Sequence, residues 1–210
     1  MIEWNRILQE KRYSPEEPDK LVISFAAFLK RKKKVGRVLD LGCGAGRHLI
    51  YMAKQGFEAH GIDIAETGLN ATKCRLKKQN LEAHIVKCHM NFLPYVDSCF
   101  DAVICLHTIY HQKFKGMQRT ISEIHRILKE NGFLSVNFLS KRTYKYGKGE
   151  KVEENTFIGQ EGIEKGVLHH FTDKEEIMCL FKDFTIIKME SQERKIEGKL
   201  SSRWILTATI

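Results

Sequence analysis

Proline and paired cysteines are scarce in this chain, and long apolar runs are missing. Three prolines in 210 residues, beside 42% hydrophobic and 29% charged residues, exclude a largely disordered chain. The longest apolar stretches, such as LVISFAAFL at 21–29, fall well short of the roughly 20 residues that a membrane-spanning helix needs. The opening MIEWNRILQE also lacks the basic-then-apolar pattern of a secretion signal, so a cytoplasmic protein with no membrane partner is expected. Six cysteines (Cys43, Cys74, Cys88, Cys99, Cys105, Cys179) form no CxxC pair, and Cys88 and Cys105 fall in strand-like runs. That spacing argues against a disulfide framework or a zinc site and for reduced, mostly buried thiols; no metal is expected.

What is present is a net charge of +9 and a length suited to one domain over 1–210. Such a charge can attract nucleic acid through its field. Much of it, however, sits in KRKKK at 30–34, after an expected helix over 16–30, where cations complement the negative end of the helix dipole. Residues 1–30 read as helical, with Ser14-Pro15-Glu16-Glu17 as a helix start. Short apolar runs then alternate with amphipathic ones: RVLDL and a helix at 46–55, EAHGID and a helix at 66–79, EAHIVK, FDAVICL, a helix at 114–129, and GFLSVNFL. The helix at 114–129 gathers Ile121, Ile124, Ile127 and Leu128 on one face, and Asn131-Gly132 is expected to close it. This rhythm predicts parallel strands joined by crossover helices, a doubly wound α/β sheet. From Lys141 to Glu164 the texture turns to glycine and charge, a surface excursion read as a lid or a β-hairpin. Thr172 with Glu175 is expected to cap a last helix, and TIIKMES and RWILTATI to pair antiparallel at one sheet edge across a linker of about a dozen residues.

VLDLGCGAGRHL (38–49) carries the chemistry. An apolar strand ends in three glycines, which let the backbone turn sharply and approach a ligand bare of side chains. A P-loop would need a lysine and a hydroxyl after its glycines, and a dinucleotide site needs G-x-G-x-x-G; this G-C-G-A-G-R-H has neither. A phosphate ligand is therefore disfavoured, and with it an oxidoreductase using NAD. In GIDIA (61–65) a second strand ends in Asp63, about twenty residues beyond the glycines, where a carboxylate can accept hydrogen bonds from both hydroxyls of a ribose. A ligand with a ribose and no pyrophosphate is implied.

At these residues the chain resembles the class I S-adenosylmethionine-dependent methyltransferases. VLDLGCGAGRHLIYMAKQGFEAHGIDIA is similar to their first two motifs, FDAVICLHTIYH (100–111) to their fourth-strand segment, and EIHRILKENGFLSVNF (123–138) to the helix and strand that follow. HHFTDKEEIMCLFKDF (169–184) is similar to a C-terminal segment of many small-molecule members, and the N-terminal helical cap and short length resemble members acting on small acceptors, including the tellurite-resistance type. The resemblance implies a Rossmann-like seven-stranded sheet, mostly parallel with an antiparallel C-terminal edge strand. It divides the chain into an N-terminal helical cap (1–35), a cofactor-binding core (36–140), a lid or substrate insertion (141–170) and a C-terminal helix and strand pair (171–210). S-adenosylmethionine is implied as cofactor, with S-adenosylhomocysteine as product.

Carried over residue by residue, the resemblance implies that Asp40 anchors the glycine loop or meets the methionine ammonium. Gly42, Cys43, Gly44 and Gly46 lie along the methionine and ribose, Asp63 holds the ribose hydroxyls, Ile64 meets the adenine, and Leu106 and His107 border the methionine end. Where the family usually has an aspartate before Leu-Pro, this chain has His89, with Met90 beside it; a neutral imidazole, or Asn91, can accept the adenine contact instead.

Methyl transfer from a sulfonium needs chiefly an aligned nucleophile, and a base only where the nucleophile must lose a proton. His107, Tyr110 and His111 are the catalytic candidates, and Arg47, His169 and His170 the substrate-contacting ones, with His48 near the glycine loop. Trp4 and Tyr13, or Tyr144, Tyr146 and Phe157 in the excursion, are placed to close over a substrate, the excursion being the preferred lid. The expected function is methyl transfer to a small-molecule acceptor by a monomer or homodimer. An RNA methyltransferase and a non-catalytic S-adenosylmethionine-binding regulator are the alternatives, the first supported only by charge.

Overall fold

The computed structural model describes residues 2–32 and 35–210; Lys33 and Lys34 of the basic run lie outside the described residues. The chain opens with α1 (Ile2–Ile7), a 3-10 turn (Lys11–Tyr13) and α2 (Lys20–Arg31). It continues through β1 (Arg37–Leu41), α3 (Arg47–Lys54), β2 (Glu58–Asp63), α4 (Glu66–Lys78), β3 (His84–Lys87), β4 (Phe100–Cys105), α5 (Phe114–Ile127) and β5 (Leu128–Ser140). A small sheet follows in β6 (Glu150–Glu153), β7 (Thr156–Ile158) and β8 (Leu168–Thr172), then α6 (Lys174–Leu180), β9 (Thr185–Ile196) and β10 (Lys199–Thr209).

The main sheet runs β3-β2-β1-β4-β5-β10-β9. The first five strands are parallel, β10 is antiparallel to β5, and β9 is antiparallel to β10. The reversal of strand order next to β1 is the place where doubly wound sheets open a crevice at their carboxyl ends. Strand residues alternate between two apolar layers, as a period of two requires. Leu39, Leu41, Val103 and Cys105 pack with Met117, Ile121, Ile124 and Ile177 from α5 and α6 on one face. Val38, Ala102 and Ile104 pack with Val22, Phe25, Leu29, Leu49 and Met52 from α2 and α3 on the other. The mixed α/β, doubly wound architecture expected from the alternation of runs is the one observed.

Four local boundaries differ from the sequence reading. α2 starts at Lys20 rather than 16, because Pro18 disfavours helix in the residue before it and the extended Asp19 caps the helix, accepting from Leu21 N–H at 3.0 Å. Asn131-Gly132 does not close α5. The helix gives way at Leu128 directly to β5, and the left-handed Asn131 sits where the pairing with β4 slips from Phe100 opposite Leu128 to Ala102 opposite Phe133. The last helix is capped one residue later than expected, by Asp173 with Glu176 in a reciprocal capping box, while the Thr172 hydroxyl donates to the Leu139 carbonyl. The expected linker between the last two strands is itself strand: β9 and β10 pair from Thr185 opposite Thr209 to Ile196 opposite Lys199, across a tight turn with Glu197 (φ 48°) and Gly198 (φ 76°) both left-handed. Residues 190–199 are exposed throughout, so no burial alternation marked them as strand. The glycine-rich excursion contains the β6–β7 hairpin, anchored by β8 along β5.

The turn out of β1 passes close against the loop after β4. Gly42 has φ +79°, and a Cβ there would lie 2.4 Å from the Thr108 hydroxyl oxygen in the loop after β4. Gly42→Ala combines left-handed strain with overpacking and is expected to lower the unfolding free energy by about 2–4 kcal/mol, read from urea denaturation.

Candidate active site

A cavity of about 660 Å³ opens at the carboxyl ends of β1, β2 and β4, inside the range of about 300–1,000 Å³ common for ligand sites. Its lining brings together Gly42, Cys43 and Gly44 from the glycine loop, Asp63 and Ile64 after β2, His89 and Met90 after β3, and Leu106, His107, Tyr110 and His111 after β4. Arg47, at the start of α3, joins them. Asp40 and Gly46 lie beneath this lining: Asp40 is buried in β1, and Gly46, left-handed at φ +82°, turns the chain into α3.

The Asp63 carboxylate accepts from Gly44 N–H and Ala65 N–H, each at 2.8 Å, and so locks the loop after β1 to the loop after β2. Burial raises its proton affinity while these N–H groups oppose the rise. Each of its oxygens keeps a second lone pair for a ligand hydroxyl. Among the described residues Asp40 accepts a hydrogen bond from Leu49 N–H alone, at 3.0 Å, and burial pushes its carboxyl up to about 7. Its neighbour His48 is pushed down to about 3 by burial, so no imidazolium supports a charge on Asp40.

On the far wall the three residues after β4 have different roles. His107 stands at φ 61°, a left-handed backbone uncommon outside glycine. Asn137 Oδ1 accepts the His107 backbone N–H at 2.8 Å, which turns the amide nitrogen toward His107 Nδ1 at 3.2 Å. The ring therefore carries its proton on Nε2 and donates it to Asp19 at 3.2 Å, and this bond holds the Asp19 carboxyl well below the usual range. Tyr110 is buried, burial raises its phenol, and the Arg203 guanidinium from β10 lies against its hydroxyl. His111 donates from Nδ1 to the Leu168 carbonyl at 3.0 Å, which leaves the Nε2 lone pair free. Its ring sits among Trp4 (4.6 Å), Tyr110 (4.5 Å) and His169 (4.9 Å), and burial pushes it down to about 3.

The structure does not bring His169 and His170 to the cavity wall. His169 is buried behind His111, donating to the Val167 carbonyl and facing Glu164, whose carboxylate also pairs with Lys145. His170 is buried between Thr156 and Glu176. At the other end of the cavity, His89 Nδ1 already accepts from Asn91 N–H at 3.2 Å, so the ring offers an Nε2–H donor rather than the acceptor expected from the sequence. Asn91 is likewise engaged, its side-chain oxygen accepting from Thr120 at 2.6 Å. Glu58, His60 and His84 cluster at the amino ends of β2 and β3, away from the cavity; there Glu58 is shared by Arg37 and His60.

The roof was the least visible part in the sequence. Trp4, Leu8, Tyr13, Pro15 and Asp19 line the cavity from the N-terminal segment, whereas of the excursion only Glu164 does so among the described residues. Arg75 of α4 clasps this roof, donating to the Ser14, Pro15 and Ala45 carbonyls at 2.7, 3.3 and 2.7 Å. Arg6 ties α1 to the excursion through the Ile163 and Lys165 carbonyls. Arg194 and Arg203, from the hairpin read as a linker and a strand, complete the wall.

The chain matches, over residues 38–132, the sequence family described as a methyltransferase domain. It is 28% identical over 147 residues to YqeM of Bacillus subtilis (strain 168), covering 69% of this chain and 58% of that one. It is 24% identical over 143 residues to a ubiquinone biosynthesis O-methyltransferase of Rickettsia akari (strain Hartford), covering 68% and 56%. The chain thus spans little more than half the length of these relatives. Its fold is similar to that of an S-adenosylmethionine-dependent methyltransferase of Methanosarcina mazei, with a TM-score of 0.73, 22% identity, and 87% and 96% of the two chains covered.

Two predictions follow from the buried charges and the clasp. The native chain keeps the Asp40 proton up to about pH 7, whereas an unfolded aspartate releases it near pH 4. The native state therefore binds more protons between those values, and this residue's contribution lowers stability as pH rises through that window. The stability difference between the wild type and Asp40→Asn is expected to change between pH 4 and 7 and to level off above, as read from urea midpoints. Arg75→Met, which frees three carbonyls of the roof and loop, is expected to cost about 1.5–3 kcal/mol and to speed proteolysis within 12–19.

Proposed function

We propose that the protein transfers a methyl group from S-adenosylmethionine to a small-molecule acceptor. The observation that carries this reading is one continuous cavity with the bare Gly42–Gly44 backbone and the Asp63 carboxylate at one end and the free Nε2 of His111 at the other. The residues fit the cofactor. Asp63 has lone pairs for two ribose hydroxyls, Ile64 and Met90 offer apolar surface to adenine with His89 Nε2–H as donor, and Leu106 with the glycine loop borders the methionine portion. When bound, S-adenosylmethionine supplies an electrophilic methyl on a sulfonium, leaving S-adenosylhomocysteine after in-line displacement.

The chain's own work is positioning, exclusion of water and proton handling. The N-terminal roof closes the cavity. His107 is a positioning residue, holding Asp19 at the roof's hinge with α2. His111 acts as general base: its tautomer is fixed by Leu168, its lone pair is available at every physiological pH, and Glu164 favours the imidazolium that forms. His111 Nε2 would take the proton released by an acceptor X–H as the acceptor is methylated. A small acceptor is favoured over RNA because the site is a concave cavity walled on one side by Trp4, Tyr13 and Pro15 rather than a flat surface.

Calorimetric titration tests the reading. Wild type is expected to bind S-adenosylmethionine and S-adenosylhomocysteine and not NAD, and Asp63→Asn to lose tenfold or more in affinity for both adenosyl compounds. Binding of NAD alone, or of none of the three, would overturn it. For a turned-over acceptor, His111→Gln is expected to lower kcat by about 10²–10⁴-fold, with cofactor affinity within threefold of wild type.

A further inference from the structure

The acceptor end of the cavity holds more positive charge than the protein neutralises. Asp19 is engaged by His107, and Glu164 by Lys145 and His169. Asp40 lies buried beneath the wall, with a carboxyl that burial drives toward its neutral form. Against these stand the guanidiniums of Arg47 and Arg203, which line the cavity from α3 and β10. Among the described residues no carboxylate forms an ion pair with either, and Arg203 Nε is buried with no hydrogen-bond partner. Burial also weakens the hold of Arg47 on its charge. Both arginines are half-buried in the cavity wall, and a planar fork of donors is matched by a two-oxygen anion.

Position separates Arg203 from the cofactor, while Arg47 stands between the two, directly after the glycine loop. An adenosyl ligand held by Asp63 and the glycine loop lies over β2 and β1, whereas Arg203 stands on β10, with β4 and β5 between it and β1. Arg203 also lines the cavity with Tyr110, whose phenol its charge acts on, one residue from His111. The corner thus combines the Arg203 donors with the His111 lone pair as the acceptor for a proton, the Glu164 carboxylate there being engaged by Lys145 and His169.

We propose, resting on the transferase reading above, that the methyl acceptor is an anion whose carboxylate or phosphate-like group is held by Arg203 and Arg47 against the wall formed by Tyr110 and His111. The same contact gives the reaction its charge complement. The anion sits beside a sulfonium and lends His111 a negative neighbour as it takes the proton. Arg203 is then a specificity-determining residue, and an uncharged analogue leaves its fork unpaired, a loss of the kind that discriminates strongly between substrates.

The test uses the protein saturated with S-adenosylhomocysteine and titrates malonate, inorganic phosphate and neutral malonamide by calorimetry. Malonate or phosphate is expected to bind at millimolar levels or better, with the tighter of the two identifying the anionic group, and malonamide at least tenfold more weakly. Arg203→Gln is expected to lower the anion affinity tenfold or more while changing S-adenosylhomocysteine affinity by less than twofold. Arg203→Lys, which keeps the charge and loses the fork, is expected to fall between, with an unfolding midpoint close to wild type. Anion affinity unchanged in both folded variants, or malonamide binding as well as malonate, overturns the proposal. Equal losses of anion and S-adenosylhomocysteine affinity also overturn it, because the arginine then holds the cofactor's own carboxylate. Failure of wild type to bind S-adenosylhomocysteine removes the transferase reading itself, a result distinct from loss of anion binding alone.

Discussion

The carboxylate of Asp63 joins the two loops on which the site depends. By accepting from Gly44 and Ala65 it fixes the bare glycine turn after β1 against the start of α4, so that one side chain shapes the loop and faces the ligand space. The turn can come this close only because position 42 has no Cβ to meet Thr108. The loop after β4, which carries Thr108, His107 and His111, is thereby set opposite the loop after β2. The two ends of one cavity are placed by packing at a single turn, and the long parallel strands behind them supply the rigid support.

Charge is distributed around this turn with a clear asymmetry. Carboxylates near the cavity are either buried and held by backbone N–H groups, as Asp63 and Asp40 are, or engaged by basic side chains, as Asp19 and Glu164 are. The arginines at the acceptor end have no such matching. Burial among Trp4, Tyr110 and His169 keeps the His111 imidazole neutral, and its bond to the Leu168 carbonyl sets one tautomer. Positioning, more than strong acid-base chemistry, is what this arrangement offers a bound ligand.

Much of the core was legible in the sequence because its signals are local and backbone-driven. Alternating apolar runs gave the strand and helix order, and the glycines with Asp63 marked one ligand-facing edge. What escaped was set by long-range contacts. Arg203 reads as one cation before an apolar strand, and its place beside Tyr110 follows only from β10 lying against β5. The exposed residues of β9 carry no alternation to betray a strand. The roof was anticipated in Trp4 and Tyr13, yet the clasp that holds it comes from Arg75, an ordinary basic residue in the last turn of α4. His169 and His170 looked like a substrate pair because histidines near a strand end are chemically suggestive, but strand alternation and the β7 pairing bury both. His89 kept its place at the cavity while its hydrogen-bonding sense was reversed by a neighbouring backbone N–H, a detail no sequence pattern encodes.

The most direct test of this account is a crystal structure of the protein grown with S-adenosylhomocysteine. The account predicts the ribose hydroxyls on the Asp63 carboxylate, the homocysteine along Gly42–Gly44, and the sulfur on the side of the cavity facing His111, beneath the roof formed by Trp4 and Tyr13. Density for the ligand at any other place, or a ribose that leaves Asp63 without a contact, would contradict it.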